Sequence, residues 1–145
     1  MHIDALNLYS DAQALTTTAA STNIIDHGAD RDLGKGEPMV VRIQLDVAAD
    51  NTTMDETYTA TLQTDDNASF SSATQVGGIA TITAGSAAGT VIYIDVPPDT
   101  VFERFSRINY TLGGTTPTVT VTAFMQPKSM VQTDGVFADN ITITT

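Results

Sequence analysis

The chain has 145 residues, 25 of them threonine, with no cysteine and no tryptophan, so one domain must hold together without disulfides. Six Lys and Arg stand against 17 Asp and Glu, a formal net charge of -11, which repels a phosphate backbone and speaks against partnership with nucleic acid or an anionic membrane. No apolar run approaches the roughly 20 residues that a membrane-spanning helix needs. The start, Met1-His2-Ile3-Asp4, lacks a basic stretch followed by an apolar one, so no secretory signal and synthesis in a cytoplasm are expected. Next come Leu6, Leu8 and Leu15 among alanines that tolerate a helix. Thr16-Thr17-Thr18 and Ser21-Thr22-Asn23 argue instead for extended chain and turns.

A short strand is predicted at 23–26, and 29–38 reads as a polar loop closed by Gly34, Gly36 and Pro38. The clearest strand follows at 39–47. Met39, Val41, Ile43, Leu45 and Val47 share one face and Arg42, Gln44 and Asp46 the other. Tyr58, Ala60 and Leu62 then alternate with threonines. A loop at 65–72 precedes a short strand at 79–83, bounded by Gly77-Gly78 and Gly85. The stretch 90–96 carries apolar residues at both parities, which predicts a strand covered on both faces. Pro97-Pro98-Asp99 ends it, since proline cannot donate to a ladder. Strands at 107–112 and 118–125 flank the tight connection Gly113-Gly114-Thr115-Thr116. A looser arm at 126–140 leads to an edge strand at 141–144. Threonine is β-branched and fits a pleated strand, so the alternation of Thr with Val and Ile reinforces the reading. The sum is an all-β chain in a single domain, 1–145, of about eight antiparallel strands arranged as a β-sandwich or jelly roll.

Reactive chemistry is sparse. His27 lies between Asp26 and Asp30, but the spacing fits no ligand motif, and His2 is the one other histidine. Asp65-Asp66-Asn67 and Asp50-Asn51 with Asp55-Glu56 are loop acids. They lack the alternate-position pattern of a calcium loop and read as solvated turns. The glycine pairs match no phosphate loop, and no G-x-S-x-G elbow occurs. No catalytic residue, metal or cofactor is therefore assigned. The scarce arginines stand out. Arg31 lies between Asp30 and Asp32, and Arg104 and Arg107 bracket Phe105. Each either locks its own loop through a carboxylate or meets acids on a partner, with Asp32 and Glu37 available for both tasks.

Two stretches carry a family resemblance. One is Ser21-Thr22-Asn23-Ile24-Ile25-Asp26-His27-Gly28, running into Arg31-Asp32-Leu33-Gly34-Lys35-Gly36-Glu37-Pro38. The other is Arg104-Phe105-Ser106-Arg107-Ile108-Asn109-Tyr110-Thr111, running on to Gly113-Gly114. Together, over about residues 3 to 125, they resemble the capsid cementing, or decoration, proteins of tailed bacteriophages, of the type found on a Bordetella podovirus. The resemblance implies a jelly roll that forms homodimers, with homotrimers as the alternative. It implies a place on the outer surface of an icosahedral virion head, bridging neighbouring copies of the phage major capsid protein. The contact candidates are then the loop 29–38, the segment 104–107 and the arm 126–140, with Arg31, Asp32, Glu37, Arg104 and Arg107 at the capsid or oligomer interface. A second reading is a host-receptor or carbohydrate-binding jelly-roll module of a phage tail or fibre, in which exposed Tyr9, Tyr58 and Tyr93 line a groove. A third, an enzyme on a cupin-like scaffold, needs more histidines than the chain has.

Overall fold

The computed structural model describes residues 4–131. The edge strand expected at 141–144, most of the arm expected at 126–140, and His2 lie outside the described residues. Eleven strands are present among the described residues: β1 (Leu8–Leu15), β2 (Ala19–Ala20), β3 (Ile25–Asp26), β4 (Arg31–Asp32), β5 (Met39–Val47), β6 (Thr57–Asp65), β7 (Thr74–Ile82), β8 (Val91–Val96), β9 (Val101–Phe102), β10 (Phe105–Gly113) and β11 (Val119–Pro127). Only two single-turn 3-10 helices accompany them there, at Ala5–Asn7 and Lys128–Met130. No helix among the described residues is long and apolar enough to cross a membrane.

Every strand pair is antiparallel. One sheet runs β1-β11-β5-β8. The other runs β2-β10-β6-β7, with β3 also on β10, and β4 pairs β9 separately. β2 and β3 meet different parts of β10, so they act as one interrupted strand. Counting them so and setting the β4–β9 pair aside leaves eight strands, in the orders 1-8-3-6 and 2-7-4-5. Those are the two sheets of a jelly roll.

The period of two explains the sandwich. On β5, Val41, Ile43 and Leu45 are fully buried between the sheets, and Met39 packs against them. Val47, expected on the same face, is 57% exposed where the strand ends. Tyr58, Ala60 and Leu62 on β6, Ile108 and Tyr110 on β10, and Val119, Val121, Ala123 and Met125 on β11 complete the core. Each fully buried Ile or Leu contributes about 1.5–3 kcal/mol through removal of apolar surface from water.

Three expectations are corrected. β7 is longer than the strand read at 79–83, and Gly77-Gly78 lie inside it. Thr61 pairs Ile79 and the next residue, Leu62, pairs Val76, so the two glycines form a bulge rather than a boundary. β8 is an edge strand of its sheet, with Ile94 and Val96 inward and Tyr93 36% exposed, so it is not covered on both faces. The loop read at 29–38 contains β4, whose two residues pair Val101 and Phe102.

Hydroxyls also enter the core. The Tyr9 hydroxyl lies 2.8 Å from Ser106 Oγ, and the Tyr110 hydroxyl lies 2.9 Å from Ser10 Oγ. Ser10 Oγ donates to Gln13 Oε1 at 2.7 Å, so Tyr110 is the donor in its pair. Burial pushes both tyrosine hydroxyls well above their ordinary range, so they stay protonated. Tyr110→Phe is expected to cost about 1–3 kcal/mol, because Ser10 loses a donor inside the core. Urea denaturation measures it, and a loss near zero would mean that Ser10 finds a replacement partner.

Candidate functional site

The β4–β9 ladder brings the loop 29–38 against the stretch that leads into β10, with Arg31 opposite Phe102 and Asp32 opposite Val101. Phe102 is fully buried and anchors this corner. The His27 ring meets it edge-on, centroids 5.5 Å apart at 66°. The backbone N–H of His27 donates to the carbonyl of Arg104 at 2.7 Å, and Gly28 N–H donates to Asp26 Oδ1 at 2.8 Å. The two motif stretches, far apart in sequence, are thus one corner of the molecule.

Within it, Arg104 grips Asp26 with two parallel bonds, Nε to Oδ1 and Nη2 to Oδ2, both 3.0 Å, and lies 4.8 Å from the centroid of the Phe105 ring. Arg107 donates from Nε to Gln63 Oε1 at 3.0 Å and stacks 4.2 Å from the Phe70 ring. Asp32 Oδ1 accepts from Gly34 N–H at 3.1 Å. Glu37 Oε1 accepts from Ser129 N–H at 3.0 Å, while Lys128 N–H donates to the Pro38 carbonyl at 2.7 Å. The loop therefore touches both the β9–β10 corner and the turn after β11, so the three segments singled out in the sequence are neighbours. Four of the five candidate side chains hold local structure. Arg31 is the one of the five whose side chain makes no hydrogen bond or ion pair among the described residues, and it is exposed.

The Arg104 guanidinium, followed by the Gly28 N–H, holds the Asp26 carboxyl below the usual range. Arg104→Ala is expected to return Asp26 upward toward ordinary aspartate behaviour, readable in a carboxyl NMR titration. An unmoved titration would mean that the pair does not persist in solution.

His27 also reaches inward, with Nε2 2.8 Å from Ser106 Oγ. A serine beside an imidazole is the geometry of an activated nucleophile, but Ser106 is fully buried and its hydroxyl also meets Tyr9. The contact ties β1, β10 and the turn after β3 together. Burial holds the His27 pKa below its usual 6.5, against the raising influence of Asp26. A depressed histidine makes the unfolded chain the better proton acceptor. Its stability contribution is full above about pH 6.5 and falls as the pH drops below that value. Denaturation midpoints at pH 7.5 and 5.5 are expected to differ in the native chain and to converge in His27→Gln. Equal midpoints in the native chain would remove His27 as the cause.

Of the loop acids, Asp55 and Asp66 are exposed as expected, while Glu56 and Asp65 are buried and depart from a solvated role. Asp65 is fully buried and caps the loop after β6, accepting from Asn67 N–H at 2.8 Å and Ser72 N–H at 2.7 Å. Those bonds, led by that from Asn67, hold its carboxyl below the usual range, while Asp65 pushes Asp66 above it. Asp65, Asp66 and Glu103 bring carboxylate oxygens within 4.8 Å of one another. The bonds to Asn67 and Ser72 already engage both Asp65 oxygens. Asp55 pins its loop to the β10–β11 turn, accepting from Thr115 N–H at 3.0 Å and Thr115 Oγ1 at 2.9 Å.

The aromatic groove imagined for a sugar is not formed by the tyrosines expected to line it. Tyr9 and Tyr58 are 0% and 1% exposed, their rings in the core and their hydroxyls hydrogen-bonded. Of those three tyrosines, only Tyr93 reaches the surface. Sequence reading missed the buried pairs Tyr9–Ser106 and Ser10–Tyr110 and the His27–Ser106 contact. The available signal was the presence of hydroxyl residues at inward parity on β10.

A family model described as Bbp16 matches residues 9–125, from β1 to near the end of β11. None of the curated proteins matches the chain.

Proposed function

This chain belongs to the Bbp16 family, and from that membership we propose that it is a structural protein of a phage virion that cements the outside of an icosahedral head. The family name suggests a Bordetella phage protein. The observation that carries the finer reading is the joined corner. The loop 29–38, the stretch 101–107 and the turn at 128–130 form one side-chain-braced surface at the end of a jelly roll. Such bracing gives a surface that loses little entropy when it docks. The partners on this reading are the major capsid protein and a second copy of the chain, as a dimer or alternatively a trimer. On this reading Arg31, whose side chain holds no partner among the described residues, meets a capsid carboxylate.

The mechanism is mass action. A protein that binds only the expanded shell lowers that state's free energy by its own binding energy. Copies repeated on a lattice multiply a modest contact through avidity. No bond is made or broken, so the protein acts as a clamp and not as an enzyme.

Quantitative mass spectrometry of purified virions tests this. A copy number comparable to the major capsid protein is expected. A handful of copies would move the chain to a tail or receptor-binding part, and none would remove it from the virion.

A further inference from the structure

Two arginines three residues apart are built alike except in one respect. Arg104 lies 4.8 Å from the centroid of the Phe105 ring and closes on the Asp26 carboxylate with two parallel bonds. Arg107 lies 4.2 Å from the centroid of the Phe70 ring and donates from Nε to Gln63, yet it forms no ion pair among the described residues. Gln63 is neutral and cannot balance the charge. Ser106 and Ile108 are buried in the sandwich, so Arg107 stands on the outer face of its sheet, in one row with Gln63 and Gln75. Its Nη1 and Nη2 make no hydrogen bond among the described residues, and they are not among the buried polar atoms left without a partner there. Two donors of a planar fork therefore face water side by side.

The support beneath that fork is strained. Phe70 is only 7% exposed and holds φ +52°, a left-handed backbone that a bulky side chain rarely adopts. Asp65 accepts from Asn67 N–H and Ser72 N–H on either side of it, and Phe70 N–H donates to the Asn67 carbonyl at 3.0 Å. β6, the loop after it and β10 thus converge on one guanidinium. An arginine ordinarily loses rotamer freedom when it docks, and here that loss is already taken in folding.

We propose that Arg107 presents its Nη1–Nη2 edge to a carboxylate of a partner protein, as a second docking contact besides Arg31. The donor set and the neighbouring pair both point to that ligand. Two parallel N–H groups match the two oxygens of a carboxylate. Arg104 with Phe105 and Asp26 is the completed version of the same arrangement within this chain. A nucleic-acid phosphate would accept the fork too, but one such site on a chain of net charge -11 gives a phosphate backbone no wider hold. This inference rests on the virion reading, which makes the major capsid protein the bearer of the carboxylate.

Equilibrium binding of the full-length protein to phage heads assembled without it tests the inference. Arg107→Lys keeps the charge and loses the fork, and it is expected to bind about tenfold more weakly or worse. Gln63→Glu is the sharper variant. It leaves Arg107 in place and sets a carboxylate beside it, so the guanidinium closes on its own sheet as Arg104 closes on Asp26. That variant is expected to match or exceed the native urea midpoint while losing a similar share of affinity. A role confined to holding β6 against β10 would be strengthened by the change and would leave affinity intact. Gln75→Glu adds the same charge one strand further away and is expected to bind as the native protein does. Native affinity in either Arg107→Lys or Gln63→Glu would overturn the inference. An equal loss in Gln75→Glu would also overturn it, by assigning the effect to added charge alone. Native protein that leaves the heads unbound would instead overturn the virion reading, and this inference with it.

Discussion

Gly77→Ala is expected to destabilise the fold by about 3–5 kcal/mol, from left-handed backbone strain together with steric overlap. Gly77 sits in the β7 bulge at φ +70°, and a Cβ there would lie 2.6 Å from the carbonyl oxygen of Asp95 on β8. β7 and β8 are the edges of different sheets. The bulge is where these edges come together, so a methyl group must push the sheets apart or disrupt the bulge. Gly89 separates the two causes. It is also at positive φ, +87°, but a Cβ there meets nothing within 4 Å, so Gly89→Ala is expected to lose only about 1 kcal/mol. Urea denaturation of both variants makes the comparison. Equal losses would show that the β7–β8 approach yields easily.

Leu62 and Ile108 supply the second large effect. They are directly opposite on β6 and β10, and both are fully buried. Each alanine substitution is expected to cost about 2–5 kcal/mol, from lost transfer energy and the cavity left behind. A domain of this size is stable by about 5–15 kcal/mol, so the double variant is expected to lose a large share of its stability, about 4–10 kcal/mol if the two losses simply added. The pair shares one cavity, so its combined loss should differ from the sum of the single losses. A single loss below about 1 kcal/mol would mean that the sandwich collapses around the gap.

Strands were legible where burial has two clear faces. Val41, Ile43 and Leu45 alternate with polar residues, and the strand appears at its expected limits, Met39–Val47. The same logic failed at β8, because Val91 and Tyr93 made an edge strand look enclosed. It failed at Gly77-Gly78 because a glycine pair marks either a turn or a bulge, and only the partner strand decides. The β4–β9 ladder was invisible, since two-residue strands have no periodicity to read. The arginines were found by their scarcity, but their roles depend on Asp26, Gln63 and Phe70, which folding brings near from distant positions. The tyrosines were misjudged for a related reason. A phenol suits either a wet surface or a core with a hydroxyl partner, and those partners, Ser10 and Ser106 among them, are supplied by the tertiary fold.

The place of β1 beside β11 also governs how the chain is born. Leu15 pairs Val119, and Leu8 pairs Phe124. β1 leaves the ribosome well before β11, its strand partner among the described residues, and until β11 has emerged that edge waits unpaired. Closing so long a loop must precede any gain from the pairing, which places folding in the slow, millisecond-to-second range of β-sandwiches. During that wait an unpaired edge invites other chains. The excess of carboxylates then has a use before the fold exists, since nascent copies carrying the same sign of charge repel one another.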